Sequence, residues 1–188
     1  DLLEPKRLDA LRRLEILDSG EEEDFNHFAS LAAVICSAPV SLVSLVDCNR
    51  VWFKAHVGIE IHEIPRNAGF CDHVLLEDDL LVVEDAVNDP RFRNSPVVTG
   101  PPFVRFYAGM PLVISGGFKV GTLCVVDHVA RSLSESQRSA LKTLGRQVVR
   151  QRELRLKLKQ AGVSMAGSEW PLDALGKANR EFKGIRAH

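Results

Sequence analysis

Val40-Ser41-Leu42-Val43-Ser44-Leu45-Val46, followed by Asp47-Cys48-Asn49-Arg50 and then Val51-Trp52-Phe53-Lys54-Ala55-His56-Val57, is the stretch that decides the fold class. Its first part is short, rich in β-branched residues and bounded by Pro39 and Asp47, which predicts a core strand. The polar tetrad 47–50 is a turn, and residues 51–57 return as a second strand. Strands joined this closely pair antiparallel, because a parallel return needs a crossover of about a dozen residues or more.

On the N-terminal side the apolar period is helical. Leu8, Leu11, Leu14 and Ile16/Leu17 mark one side of a helix over 4–17, with Pro5 at an early position and Asp18-Ser19-Gly20 as the stop. A second helix over 22–37 carries Phe25, Phe28, Ala32 and Ile35. Its acidic first turn complements the positive end of the helix dipole. On the C-terminal side, residues 59–79 are irregular apart from a short helix over 71–77, and 80–83 is a strand. A Pro/Asn-rich loop spans 88–102, and strands at 104–113 and 119–126 flank the turn signal Ser115-Gly116-Gly117. Ser134 and Gln137 form a capping-box pattern at the start of a long helix to about 160. Leu141, Leu144, Val148, Leu154 and Leu158 make its apolar stripe. Helices at both ends of one antiparallel sheet predict an α+β domain.

Composition narrows the function classes. Of 188 residues, 26% are charged with a net charge of −1, so no global field draws the chain to nucleic acid or to anionic lipid. No apolar run is long enough to span a bilayer, so membrane insertion is not expected and a cytoplasmic location is. The four cysteines, Cys36, Cys48, Cys71 and Cys124, form no CxxC pair and are expected as free thiols. The six histidines show no metal-ligand spacing, so no metal site is expected. A chain that begins at Asp1 reads as part of a longer protein, with a covalently linked output domain outside it. Six basic residues between Arg146 and Lys159 face a single acidic one, Glu153. They carry no nucleic-acid reading motif and read as a solvated helix face.

Several segments, in order, resemble the GAF domain family: Arg7-Leu8-x-Ala10-Leu11 with Ile16-Leu17-Asp18, Val43-Ser44-Leu45-Val46-Asp47, and Arg50-x-Trp52-Phe53-Lys54. The match continues through Gly58, Pro65-Arg66, Phe70-Cys71-x-His73 and Asp89-x-Arg91-Phe92. It ends with Arg105-Phe106-Tyr107-Ala108-Gly109 and Gly121-Thr122-Leu123-Cys124-Val125-Val126-Asp127. The resemblance implies a central six-stranded antiparallel sheet with helices on one face, a ligand pocket on the other and a long C-terminal helix. The expected organisation is an N-terminal helix over 1–20, a GAF domain with its signalling helix over 21–160, and a linker or tail over 161–188. The resemblance implies a sensory, regulatory role, often as a homodimer, with the terminal helix relaying a ligand or redox signal. It assigns no ligand, since members bind cyclic nucleotides, linear tetrapyrroles, haem, small anions or nothing identified, and the site must be argued on its own.

Cys71-Asp72-His73 is the sharpest local feature. A thiol beside a histidine is open to two readings: a stabilised thiolate, or a small buried group at a helix start. Tetrapyrrole-binding members place Cys and His adjacent, whereas Asp72 intervenes here; haem would take His73 as axial ligand. Cys124 lies in an apolar strand and reads as core. Arg66, Arg91, Arg93 and Arg105 are the candidates for anion recognition, with Asp89-x-Arg91 also readable as a self-fixing loop. Arg105 and Tyr107 share one strand face and Phe106 takes the other. The predicted ligand-binding set is Trp52, Phe53, Phe70, Cys71, His73, Arg105 and Tyr107, with no catalytic residues. Two alternatives stand beside the sensor. One is an enzyme resembling the free methionine-(R)-sulfoxide reductases, for which the 86–102 loop lacks the resolving cysteine. The other is a ligand-free dimerisation module acting through the helix stripe.

Overall fold

The computed structural model describes residues 3–162. The chain divides into two compact units, residues 1–154 and 155–188. The sheet, its helices and the cavity discussed below belong to the first; of the second, residues 155–162 are described, helical to Gln160. The expected tail beyond residue 162 lies outside the described residues.

The hairpin read from residues 40–57 is the centre of the sheet. β1 (Val40–Val46) and β2 (Arg50–Val57) pair antiparallel around Asp47–Asn49. The remaining strands are β3 (Glu63–Pro65), β4 (Leu81–Val83), β5 (Phe106–Val113) and β6 (Lys119–Asp127). They join in the order β3-β2-β1-β6-β5-β4, and every neighbouring pair is antiparallel. β3 was not legible in the sequence. It is three residues long, sits at the sheet edge and has no buried residue to mark a period.

Strand alternation divides the side chains into two layers. Val43, Leu45, Phe106, Ala108, Leu123 and Val125 face one side. There they pack with α1 (Glu4–Arg13), α2 (Glu23–Cys36) and α5 (Glu135–Gln160). Leu42, Val46, Phe53, Tyr107, Cys124 and Val126 face the other. Residues 66–104 are the main cover of that side, including the one-turn helices α3 (Cys71–Val74) and α4 (Pro96–Thr99). A bulge in β2 shifts the alternation: Val43 pairs with Ala55 and Ser44 with Phe53, so Lys54 is the extra residue. Its buried ammonium pairs with Glu22 at 2.7 Å, donates to Ser19 Oγ and Gly20 O, and lies 5.4 Å from the Phe25 ring centroid.

Three expected boundaries move. The first helix ends at Arg13 instead of Leu17, and Glu15 takes φ 50°. Leu14 and Ile16 are both buried, and residues two apart fall on opposite sides of a helix, so the chain must uncoil to bury both. The helix over 71–77 is the single turn of α3, and β5 begins at Phe106 instead of 104. The capping box is present: Ser134 N donates to Gln137 Oε1 at 2.9 Å and Gln137 N to Ser134 Oγ at 3.2 Å. Within the α5 stripe, Leu141 and Val148 are buried on the sheet with Leu144 packed beside them, and Leu154 is exposed. Gly145 brings α5 close to β5; a Cβ there would meet Met110 Cγ at 2.7 Å.

Candidate functional site

Between the second sheet face and its cover lies a cavity of about 520 Å³. Its floor is the alternate set of strand residues: Val40 and Leu42 on β1, Phe53 on β2, Tyr107 on β5, and Cys124 and Val126 on β6. The cover contributes Ile59 and Ile64, then Phe70 and Cys71 at the start of α3, and Val97 and Val104 around α4. Glu60, Ile61, Pro101, Pro102 and His128 are exposed at its rim. Apolar side chains therefore make nearly the whole wall, as in small-molecule sites generally.

Ser44 and Thr122, next to the lining but not part of it, pair with each other and with Cys71. Ser44 Oγ and Thr122 Oγ1 are 2.7 Å apart, and Cys71 Sγ lies 3.6 Å from each. Tyr107 OH is 3.9 Å from the same sulfur. Burial pushes the Cys71 thiol up, with the hydroxyls of Thr122, Ser44 and Tyr107 opposing it. Burial likewise raises Cys124 and Tyr107. All three groups are therefore neutral at physiological pH. Of the two readings of Cys71, the structure supports the small buried group. A reactive thiolate needs an electropositive, partly exposed setting. The Tyr107 ring stacks on Phe70, with centroids 4.6 Å apart and planes 9° from parallel. It also lies across Gly109, where a Cβ would fall inside van der Waals contact of the phenol oxygen. Gly109 is a site-shaping residue that the sequence did not single out.

Of the seven predicted ligand-binding residues, Phe53, Phe70, Cys71 and Tyr107 line the cavity. The other three lie elsewhere, each for a local reason. Trp52 precedes Phe53 by one, so alternation sends it to the helix face, where it packs against the core. His73 lies two positions beyond Cys71 on a single helical turn and rests edge-on against Phe92, ring centroids 4.7 Å apart. It presents no axial nitrogen to the cavity. Arg105 precedes β5, and its Nη1 donates to Val98 O and Val104 O at 3.0 Å, fastening the α4 segment. The remaining lining residues were obtainable from register once one face was known. Tyr107 pairs with Val126 and Gly109 with Cys124, so one residue assigned to the cavity assigns its cross-strand neighbours.

Of the other candidate cations, Arg93 is exposed and lies outside the cavity lining, and the remaining two are engaged outside the cavity. Arg91 is held by Asp89, with Nε and Nη2 at 3.0 and 2.7 Å from its two oxygens, as the self-fixing loop requires. Arg66 Nε donates to Asp72 Oδ1 at 2.8 Å, and its Nη1 donates to Glu4 Oε1 at 2.6 Å and Asp47 O at 3.1 Å. This ties α1 to the residue next to Cys71. Arg7 completes the tie, donating to both Glu4 oxygens and to Val46 O. Hydrogen bonds from Arg7, helped by those from Arg66 and opposed by burial, hold the Glu4 carboxyl at about 2.

Residues 19–151 match the GAF domain family. A cyclic di-GMP phosphodiesterase of Pseudomonas aeruginosa is 38% identical over 138 residues, covering 73% of this chain and 24% of its own length. The chain therefore spans about a quarter of that curated relative. Two solved structures share the fold. A GAF domain from an Acinetobacter phosphoenolpyruvate-protein phosphotransferase has a TM-score of 0.58 at 22% identity, over 86% of this chain and 98% of that one. The corresponding domain from Coxiella burnetii has a TM-score of 0.60 at 15% identity, over 82% and 96%.

Proposed function

The chain belongs to the GAF domain family, and from that premise we propose that it is the sensory input segment of a larger signalling protein, binding a small molecule in the apolar cavity and relaying its occupancy through the terminal helices. The cavity itself carries this reading: about 520 Å³ of space beneath short, one-turn elements, on a sheet whose other face is covered by long helices. The relay has a physical route. Cys71 lines the cavity, its neighbour Asp72 pairs with Arg66, and Arg66 pairs with Glu4 on α1. A ligand that shifts α3 strains or releases α1, provided it binds one arrangement better than the other; couplings of about 1–3 kcal/mol are typical. The related segment in a phosphodiesterase that acts on cyclic di-GMP supports a regulatory place within a larger enzyme. The reading includes no catalytic residue in this chain, a cytoplasmic setting and a homodimer.

Native mass spectrometry of the protein purified from its source tests ligand and oligomeric state together. A bound small molecule that is lost on denaturation, and lost in a Val97→Trp variant that fills the cavity, is the expected result. An adduct that survives Val97→Trp places the ligand elsewhere, and an empty dimer in every preparation favours the dimerisation module.

A further inference from the structure

We propose that the cavity takes an uncharged, predominantly apolar small molecule and rejects phosphate- and carboxylate-bearing ones. This rests on the cavity being the sensory site and adds the chemistry of its occupant. An anion leaving water needs paired cationic or multiple hydrogen-bonding partners, because its desolvation otherwise costs several kcal/mol or more. No lysine or arginine lines the cavity among the described residues. Arg66, Arg91 and Arg105 are each fastened elsewhere, to Glu4 and Asp72, to Asp89, and to two backbone carbonyls. The one carboxylate in the wall, Glu60 at the rim, repels a second negative charge.

The floor offers no charge of either sign. Cys71 is hydrogen-bonded to Ser44 and Thr122, which lie behind the lining, and Tyr107 and Cys124 beside it are held neutral by burial. His128 at the rim is tied through Nδ1 to Pro102 O at 2.8 Å. Ile61, 49% exposed, puts apolar surface at the mouth where a polar head group would otherwise sit. The size is also decisive. An apolar cavity of about 150 Å³ accommodates benzene, so about 520 Å³ suits a neutral molecule of two or three rings, or an equivalent aliphatic one.

Isothermal titration of the full chain with indole, indole-3-acetate and cyclic di-GMP tests the proposal, since the first two share a ring system and differ by a carboxylate. Indole is expected to bind saturably, indole-3-acetate at least about tenfold more weakly, and cyclic di-GMP without detectable heat. Val97→Trp, checked for an unchanged circular dichroism spectrum, is expected to remove indole binding. Should either anionic probe bind as tightly as indole, and Val97→Trp block it, the ligand class is wrong while the sensory site stands. Should binding of any probe persist unchanged in Val97→Trp, the site itself is wrong. No binding of indole overturns the proposal too.

Discussion

The two faces of the sheet are built from the same strands and treat their side chains in opposite ways. On the helix face, Phe106 and Leu123 are fully buried under α2 and α5, and Gly145 lets α5 lie against Met110. On the other face, Tyr107 and Cys124, one position along in each strand, border a cavity of about 520 Å³. Apolar content does not separate the faces, because each carries a large cluster of buried hydrophobic side chains. The cover separates them. α2, 14 residues long, and the part of α5 within the first unit present continuous ridges that mesh with a sheet. One-turn helices and loops present isolated side chains and leave gaps between them. The packed face holds the fold, and the loosely covered face has room for function.

Truncation breaks this comparison most strongly. Phe106→Ala leaves a new void around a fully buried side chain and is expected to cost about 3–5 kcal/mol in urea unfolding. Phe53→Ala enlarges a space that already exists, so the transfer contribution of about 1.5–3 kcal/mol remains and the added cavity penalty is small. Equal losses at the two positions mean that the cavity is closed in solution. The close-approach glycines sharpen the contrast. Gly145→Ala sets overpacking of about 1–3 kcal/mol against a helix-propensity gain of up to about 1 kcal/mol. A net loss near 1 kcal/mol is expected. Gly109→Ala is expected to cost less and instead to turn the Tyr107 ring toward the cavity, read as weaker indole binding at near-normal stability. A reversed order of those two variants contradicts the assignment of faces.

The tie between α1 and the cavity wall gives a smaller, pH-dependent effect. Glu4 is held at about 2, below its ordinary value of 4.5. Its contribution to stability is therefore complete above about pH 4.5 and is lost as pH falls toward 2. The carboxyl is partly solvated, so the loss is about 1 kcal/mol or less. Glu4→Gln is expected to remove that part of the acid sensitivity, measured as the difference between the two unfolding curves against pH. The smallest effect is on the thiols. Iodoacetamide at pH 7 is expected to label exposed Cys48 readily and to leave Cys36, Cys71 and Cys124 until unfolding, since all three are buried. For Cys36, burial also lifts the thiol to about 11, against the opposing charge of Arg131. Rapid labelling of Cys71 in the folded protein, followed by mass spectrometry, reinstates a redox role for it.

Much of the architecture was legible because its signals are local. Pro39 and Asp47 bound β1, Ser134 and Gln137 cap α5, and the shift from a period near four to a period of two marks the passage from helix to sheet. The family resemblance, carried by ordered short segments, supplied the sixth strand and the two-faced layout. The end of α1 was misread because Leu14 and Ile16 share a burial demand that a regular helix cannot meet.

The binding set was half legible. Adjacent residues in a strand, Trp52 and Phe53 or Phe106 and Tyr107, must face opposite ways, and the sequence determined that much by itself. Which member of each pair meets the cavity was decided by what covers each face, a matter of contacts between residues far apart in the chain. The arginines show the same limit. A guanidinium reads identically in sequence whether it awaits a ligand or is already paired. Only the tertiary structure brings Glu4 to Arg66 across 62 residues and commits Arg105 to the carbonyls of the α4 segment. The sequence determined the strands, the caps and the alternation, because these follow from the geometry of neighbouring residues. The charge and volume of the cavity were left to the tertiary structure, because they depend on which distant side chains satisfy one another first.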